Sequence, residues 1–233
     1  NPAIDFALTA MWVIGLMNSI NMLDNMDSIT TTISMSVIVA LIAVIAVFGF
    51  TPNTFYLVML VGVLGALSGF LYFNWNPARI YMGDTGSQFL GVFLASTSIL
   101  FLWNFKDEGS SEWIQLKQFV VPMMVFIVPI IDTTTVTIRR LMRKQSPFVG
   151  GKDHITHHLA YLGMPDKLVA VTLAALSLTS LPLVLLLITG WMEWTWMITF
   201  GAFAYFALVF IVLQVLYNIG ARKRLVAQQN KTA

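Results

Sequence analysis

Residues 21–49 read NMLDNMDSITTTISMSVIVALIAVIAVFG. From Ile29 onward the stretch runs 21 residues without a charge. As a helix it would be roughly 31 Å long, matching the ~30 Å hydrocarbon layer of a bilayer. Two carboxylates, Asp24 and Asp27, stand three residues apart at its entrance. A charged lip on a membrane span costs energy unless it is used or solvated.

Runs of similar length and polarity recur at about 4–20, 54–73, 87–105, 118–138, 167–190 and 194–219, giving seven spans with 29–49. The whole chain of 233 residues is 58% hydrophobic and 10% charged, with a mean hydropathy of +0.79. That composition leaves too little polar surface for a water-soluble domain. The fold expected is all-α: a polytopic transmembrane helical bundle, one integral membrane domain over 1–233. No repeat divides it. The absence of cysteine excludes disulfides and thiolate chemistry.

Alternating the connections across the bilayer sorts the basic residues. Arg79, Arg139, Arg140, Arg143, Lys144, Lys152, Lys167, Arg222, Lys223, Arg224 and Lys231 fall on one side, Lys106 and Lys117 on the other. Eleven against two marks the first side as cytoplasmic. Connections 21–28, 74–86 and 139–166 and the tail 220–233 then face the cytoplasm. They carry Asp24, Asp27, Asp84, Asp153, Asp166 and all three histidines. The opposite connections, GFTPN and KDEGSSEWIQLK, hold nothing resembling a site. Trp191, Trp194 and Trp196 read as an interfacial belt there.

Three stretches carry chemistry. In NMLDNMD, a helical reading puts Asp24 and Asp27 on one face with Asn21. Carboxylates that close repel unless a cation or proton intervenes, and Mg²⁺ suits such oxygen ligands. The alternative is a polar turn with Asp as a cap. In NWNPARIYMGDTGSQFLG, residues 74–91, a glycine turn around Asp84 leads into a helix start. Free amides there can receive phosphate oxygens while Asp84 binds a metal; an ordinary capped helix start is the plainer reading. In residues 139–163, RRLMRKQSPFVGGKDHITHHLAYLG, His154, His157 and His158 lie within five residues among Arg and Lys. No cysteine or glutamate completes a zinc site at a familiar spacing, and anionic phosphates suit the cluster better. The basic residues also fit simple topogenic charge or anionic-lipid contact. Asp132 lies inside a span, about 10 Å from its cytoplasmic end, as a site wall or a structural partner.

Together these stretches resemble a known family. NSINMLDNMD is similar to the N-x-x-N-x-x-D-x-x-D segment of the polyprenyl-phosphate N-acetylhexosamine-1-phosphate transferases, glycosyltransferase family 4. NPARIYMGDTGSQFLG resembles their M-G-D-x-G-S signature, and PIIDTTTVTIRR with SPFVGGKDHITHHLAYLG resembles the segment ending in their cytoplasmic histidine motif. The PIIDT…RR…SPF run is most similar to the bacterial branch that transfers GlcNAc-1-phosphate to undecaprenyl phosphate. The resemblance implies Mg²⁺-dependent transfer (Mn²⁺ being an alternative) of a HexNAc-1-phosphate from a UDP-sugar to undecaprenyl phosphate, releasing UMP, at the cytoplasmic face of a bacterial inner membrane. It implies Asp84 as the metal ligand and Asp24, Asp27, His157 and His158 as catalytic. Asn21, Asn76, His154, Arg139 and Arg140 would bind substrate. Partners are the nucleotide sugar, the lipid phosphate and the bilayer, with no nucleic acid and with homo-oligomerisation open.

Two departures stand out. The family often has glycine where this chain has Asn25 and Ser28, and its H-x-H-H motif is here the longer H-x-x-H-H. The resemblance also implies an upstream Asp-Asp motif that this sequence does not contain, so the chain is expected to be the C-terminal two thirds of an enzyme. A proton- or cation-coupled transporter using Asp132 is the competing reading.

Overall fold

The computed structural model describes residues 2–48, 54–103, 117–147, 149–189 and 195–232. The connections GFTPN and KDEGSSEWIQLK, apart from Lys117 at the start of a helix, lie outside the described residues, as do Trp191 and Trp194.

Ten α-helices are described: α1 (Pro2–Leu23), α2 (Ile29–Phe48), α3 (Thr54–Asn74), α4 (Gly83–Ser98), α5 (Lys117–Val125), α6 (Ile127–Met142), α7 (Ile155–Tyr161), α8 (Asp166–Thr179), α9 (Leu181–Ile188) and α10 (Trp196–Thr232). A π-helical turn, Ile99–Trp103, prolongs α4. Six segments are long and apolar enough to cross a membrane, α8 and α9 counting together as one. This is a multi-pass membrane protein.

The seventh expected span, 118–138, is not one straight helix. It breaks at Phe126 into α5 and α6, which meet at 85°. Pro129 permits the break: it cannot donate to the Val125 carbonyl, and its ring would collide with that group in a continuous helix. As the third residue of α6 it sits where no donor is needed. Beside the break the Met124 carbonyl accepts from Ser180 Oγ at 2.8 Å, and the Pro129 carbonyl from Ser19 Oγ at 2.8 Å. Serines of neighbouring helices thus satisfy a backbone that hydrocarbon could not.

Helix α1 packs against α4 and α6, α2 against α8 and α3, and α10 against α7. Leu16, Ile20 and Leu23 of α1, Ile33, Val37 and Leu41 of α2, and Leu94 of α4 form the buried core. Large apolar side chains such as Phe6, Phe55, Val58 and Phe200 stay exposed, as expected of surfaces that meet lipid rather than water.

The α1–α4 contact fixes the site. At Gly91 a Cβ would lie 2.7 Å from the Met17 Cα and 3.2 Å from the Leu16 carbonyl oxygen, backbone atoms that cannot swing away. Gly91→Ala is therefore expected to push the two helices apart at a cost of about 1–3 kcal/mol. A lowered thermal midpoint in detergent measures this; an unchanged midpoint would mean that α1 shifts freely.

Residues 220–232 of the expected tail continue α10. That helix has 37 residues. It is about 56 Å long, well beyond the ~30 Å it must cross. ARKRLVAQQ lacks Gly and Pro, so nothing stops the helix at the membrane surface.

Candidate active site

Helix α1 ends at Leu23, and residues 24–28 form a turn rather than further helix. Asp24 and Asp27 consequently do not share a helical face. The turn closes through Ser28, whose φ of +68° is a left-handed value that costs a non-glycine residue roughly 1–2 kcal/mol. Asn74, buried at the end of α3, holds it there. Its side-chain oxygen accepts from the Ser28 amide at 3.1 Å and Thr31 Oγ1 at 3.1 Å. Its amide group donates to the Ile80 carbonyl at 2.9 Å, and Ser28 Oγ donates to the Asn74 carbonyl at 3.0 Å.

The two carboxylates have separate surroundings. Asp27 accepts from the Ala78 amide at 2.9 Å and from Asn76 Nδ2 at 3.1 Å, and Asn76 also reaches Asp166 at 3.3 Å. Asp27 and Asn76 thus tie the 75–82 loop to the starts of α2 and α8. Asp24 opens instead into a cleft of about 610 Å³ that it shares with Asp84. Gly83, with φ +68°, turns the chain into α4 so that Asp84 occupies its first turn. Ser87 Oγ donates to Asn21 at 2.6 Å, pinning the end of α1 to the start of α4 and holding the two carboxylates together. Partial burial pushes the Asp24 carboxyl above its ordinary pKa, and the neighbouring Asp84 charge adds to this.

The opposite wall grows from α6. Buried Arg140 grips Asp153 through Nε at 2.7 Å and Nη2 at 2.6 Å, and its Nη1 donates to the carbonyls of Pro147 (2.8 Å) and Val149. One side chain therefore folds the connection to α7 back over the cleft. The paired guanidinium holds the Asp153 carboxyl below the usual carboxylate range. Asp132, one per cent exposed, accepts from the Ile155 amide at 2.8 Å and pairs with His154 Nδ1 at 2.8 Å. It anchors the start of α7 and leaves Nε2 as the histidine's free nitrogen. His154, His157, Lys152, Gly150 and Gly151 complete this wall.

The cleft thus brings together Asn21, Asp24, Asp84, Arg140, His154 and His157. Asp27, Asn76, Arg139 and His158 are not among its lining residues. Arg139 lies 3.9 Å over the Tyr217 ring and donates to Gln214 and Asn218 of α10. His158 stacks on Tyr217 with ring centroids 3.7 Å apart and edges onto Tyr161. Both residues dock α7 and α6 against α10.

Asp24 and Asp84 fit a hard divalent cation: they are oxygen donors on one wall of the cleft, and the Asp84 charge adds to the burial that disfavours ionised Asp24. Among the described residues no three His, Cys, Asp or Glu side chains converge as a metal cage.

One wall of this cleft, with Asn21, Asp24 and Asp84, lies in a stretch that recurs in known proteins. The family model for glycosyl transferase family 4 matches residues 1–102. A probable undecaprenyl-phosphate N-acetylglucosaminyl 1-phosphate transferase of Bacillus subtilis is 32% identical over 163 residues, 70% of this chain and 42% of the relative. Over these stretches the chain is similar to glycosyl transferase family 4. A decaprenyl-phosphate N-acetylglucosaminephosphotransferase of Mycolicibacterium smegmatis is 34% identical over 46% of this chain and 27% of the relative. A phospho-N-acetylmuramoyl-pentapeptide-transferase of Chlamydia muridarum is 28% identical over 70% of this chain and 45% of the relative. The chain spans less than half the length of these relatives.

One link across the cleft was not legible in the sequence. Thr156 Oγ1 donates to Asn25 Oδ1 at 2.6 Å, and Asn25 Nδ2 donates to the Met22 carbonyl at 2.8 Å. The turn after α1 is thus tied to the segment between His154 and His157. Thr156→Val is expected to destabilise by about 1–3 kcal/mol, because it leaves the Asn25 oxygen without its donor. Thr156→Ser should restore most of that. Chemical or thermal unfolding of both variants checks it.

His157 and His158 both have pKa values lowered to about 4. Burial is the main cause for each, followed by the His154 and Lys152 charges for His157 and by Arg224 and Arg139 for His158. Both are neutral at pH 7. Because the folded state resists their protonation, their contribution is present above the unfolded pKa of about 6.5 and is lost as pH falls toward 4. Asp153 adds a loss at still lower pH, as its carboxylate is titrated away from Arg140. Hydrogen-exchange protection of 143–161 is expected to fall between pH 6.5 and 4 while that of α2 stays constant. Equal loss in both would contradict the local origin.

Proposed function

We propose that this chain carries a large part of the active site of a Mg²⁺-dependent transferase. It moves a HexNAc-1-phosphate, with GlcNAc-1-phosphate favoured, from a UDP-sugar to undecaprenyl phosphate at the cytoplasmic face of a bacterial inner membrane. The observation that carries the reading is the facing of two walls across one cleft: Asp24 and Asp84 on one side, His154, His157 and Lys152 on the other. A pyrophosphate with its metal needs oxygen ligands on one side and hydrogen-bond donors or cations on the other.

Asp24 and Asp84 would hold Mg²⁺, which supplies Lewis-acid neutralisation of phosphoryl oxygens. Asn21 hydrogen-bonds the nucleotide sugar. His154 Nε2, His157 and Lys152 orient phosphate oxygens and offset charge that develops on them. The lipid phosphate oxygen attacks the sugar-bearing phosphorus. The bond from that phosphorus to the bridging oxygen breaks, and UMP leaves with the electron pair. The excess of basic residues at the cleft's end of the bundle supports its cytoplasmic placement. The transporter reading loses its main ion site, because Asp132 is already engaged by His154 and the Ile155 amide.

The test is UMP release by the full-length protein in membranes given undecaprenyl phosphate and a panel of UDP-sugars. Release that requires both lipid phosphate and Mg²⁺ supports the reading, and the preferred sugar identifies the donor. No release from any donor by folded protein overturns it.

A further inference from the structure

Behind the cleft lies a second concavity of about 460 Å³, lined by Arg143, Gln145, Lys152 and Arg224. The two share a partition, since Arg140, Val149, Gly150, Gly151 and Lys152 line both. Asp153 is its only carboxylate among the described residues, and Arg140 already neutralises it through two bonds. Three cations, Arg143, Lys152 and Arg224, therefore face one space without a compensating charge. Lys144 adopts a left-handed φ of +57° just past α6, and the Gln145 amide returns to the Arg140 carbonyl at 2.8 Å. This turn sets Arg143 at the lip. Arg224 is held from the other side, 5.0 Å over the Tyr161 ring and 3.5 Å from the Lys152 carbonyl.

We infer that this pocket is a second anion site, which binds a phosphate group between Arg143 and Arg224 and braces the 149–152 partition from behind. Guanidinium groups converging from two elements are suited to phosphate oxygens. The source is a lipid headgroup or a soluble phosphate. Arg224 lies about 42 Å along α10 from Trp196, which places it at the headgroup edge of the bilayer, within reach of both. The inference stands on this geometry and not on the transferase reading.

The test uses full-length protein in phosphatidylcholine nanodiscs without Mg²⁺ or UDP-sugar. Inorganic pyrophosphate is titrated by calorimetry in one arm. Phosphatidylglycerol is added to the bilayer in the other, and its retention is read by native mass spectrometry. Wild type should bind at least one probe, Arg79→Gln, exposed and outside both concavities, should bind it unchanged, and Arg143→Gln/Arg224→Gln should bind at least tenfold more weakly. Binding only of the lipid assigns a headgroup site, and binding only of pyrophosphate assigns a soluble anion. Arg224→Gln alone, remote from the α6 turn, should weaken binding at least threefold and serves if the double variant misfolds. No binding of either probe to wild type, or equal binding by the variants, overturns the inference.

Discussion

Arg140→Ala is expected to cost about 3–5 kcal/mol, the range for removing one partner of a buried ion pair. The side chain is 5% exposed, and its donors serve Asp153 twice and two loop carbonyls. The alanine variant would leave all of these acceptors short of a donor under the same loop. The loss should be local: hydrogen-exchange protection of 143–154 collapses first, while α2 keeps its own. Arg140→Lys should rescue little, because an ammonium cannot reproduce a fork that bonds both carboxylate oxygens. Removing Asp153 as well should recover part of the loss, since no unpaired carboxylate then remains. A double variant as unstable as the sum of the singles would contradict the pairing.

Asp84→Asn is expected to lower phosphoryl transfer by at least about 100-fold, equivalent to roughly 3 kcal/mol of transition-state stabilisation. Stability should hardly change, since Asp84 is exposed at the start of α4. Removing a charge that repels Asp24 can even raise the melting point slightly. Asp27→Asn supplies the contrast. Its oxygens hold the Ala78 amide and Asn76, so the variant should lose about 1–3 kcal/mol of stability while its metal dependence stays at the wild-type concentration. Steady-state rates against Mg²⁺ concentration, measured beside thermal unfolding for both variants, separate the two roles. A shifted Mg²⁺ requirement in Asp27→Asn would return that residue to the metal site.

These contrasts show where the sequence is readable and where it stops. The spans were legible because hydrocarbon thickness dictates run length, and the site's end of the bundle because basic residues crowd one side. The bend at Phe126 was not. Pro122 and Pro129 are visible in the chain, but a proline only permits a break. An 85° turn also needs Ser19 and Ser180, distant in sequence, to accept the consequences for the backbone. The Asp24–Asp27 spacing misled for a related reason. Three-residue spacing implies a shared face only on a helix, and α1 ends at Leu23, before the turn that holds both residues. The buried Asn74 that stabilises this turn carries no local signal.

The histidines divide in the same way. Their crowding marked the segment, but the helical register of α7 decides their surroundings. His154 at its start meets Asp132, His157 faces the cleft, and His158 turns toward Tyr217. Asp132 was readable as an intramembrane carboxylate needing a partner, and the partner is a histidine 22 residues on. Arg140 and Asp153 lie 13 residues apart across a loop, and no periodicity predicts such a pair.

The most direct measurement of the central claim, that Asp24 and Asp84 place a metal against a substrate pyrophosphate, is electron–nuclear double resonance of Mn²⁺ bound to the full-length protein with UDP-GlcNAc. The account predicts ³¹P hyperfine coupling to the bound Mn²⁺ in wild type and in Asp27→Asn, and its loss in Asp84→Asn. Mn²⁺ that remains fully hydrated in wild type, or coupling that survives Asp84→Asn, would contradict it.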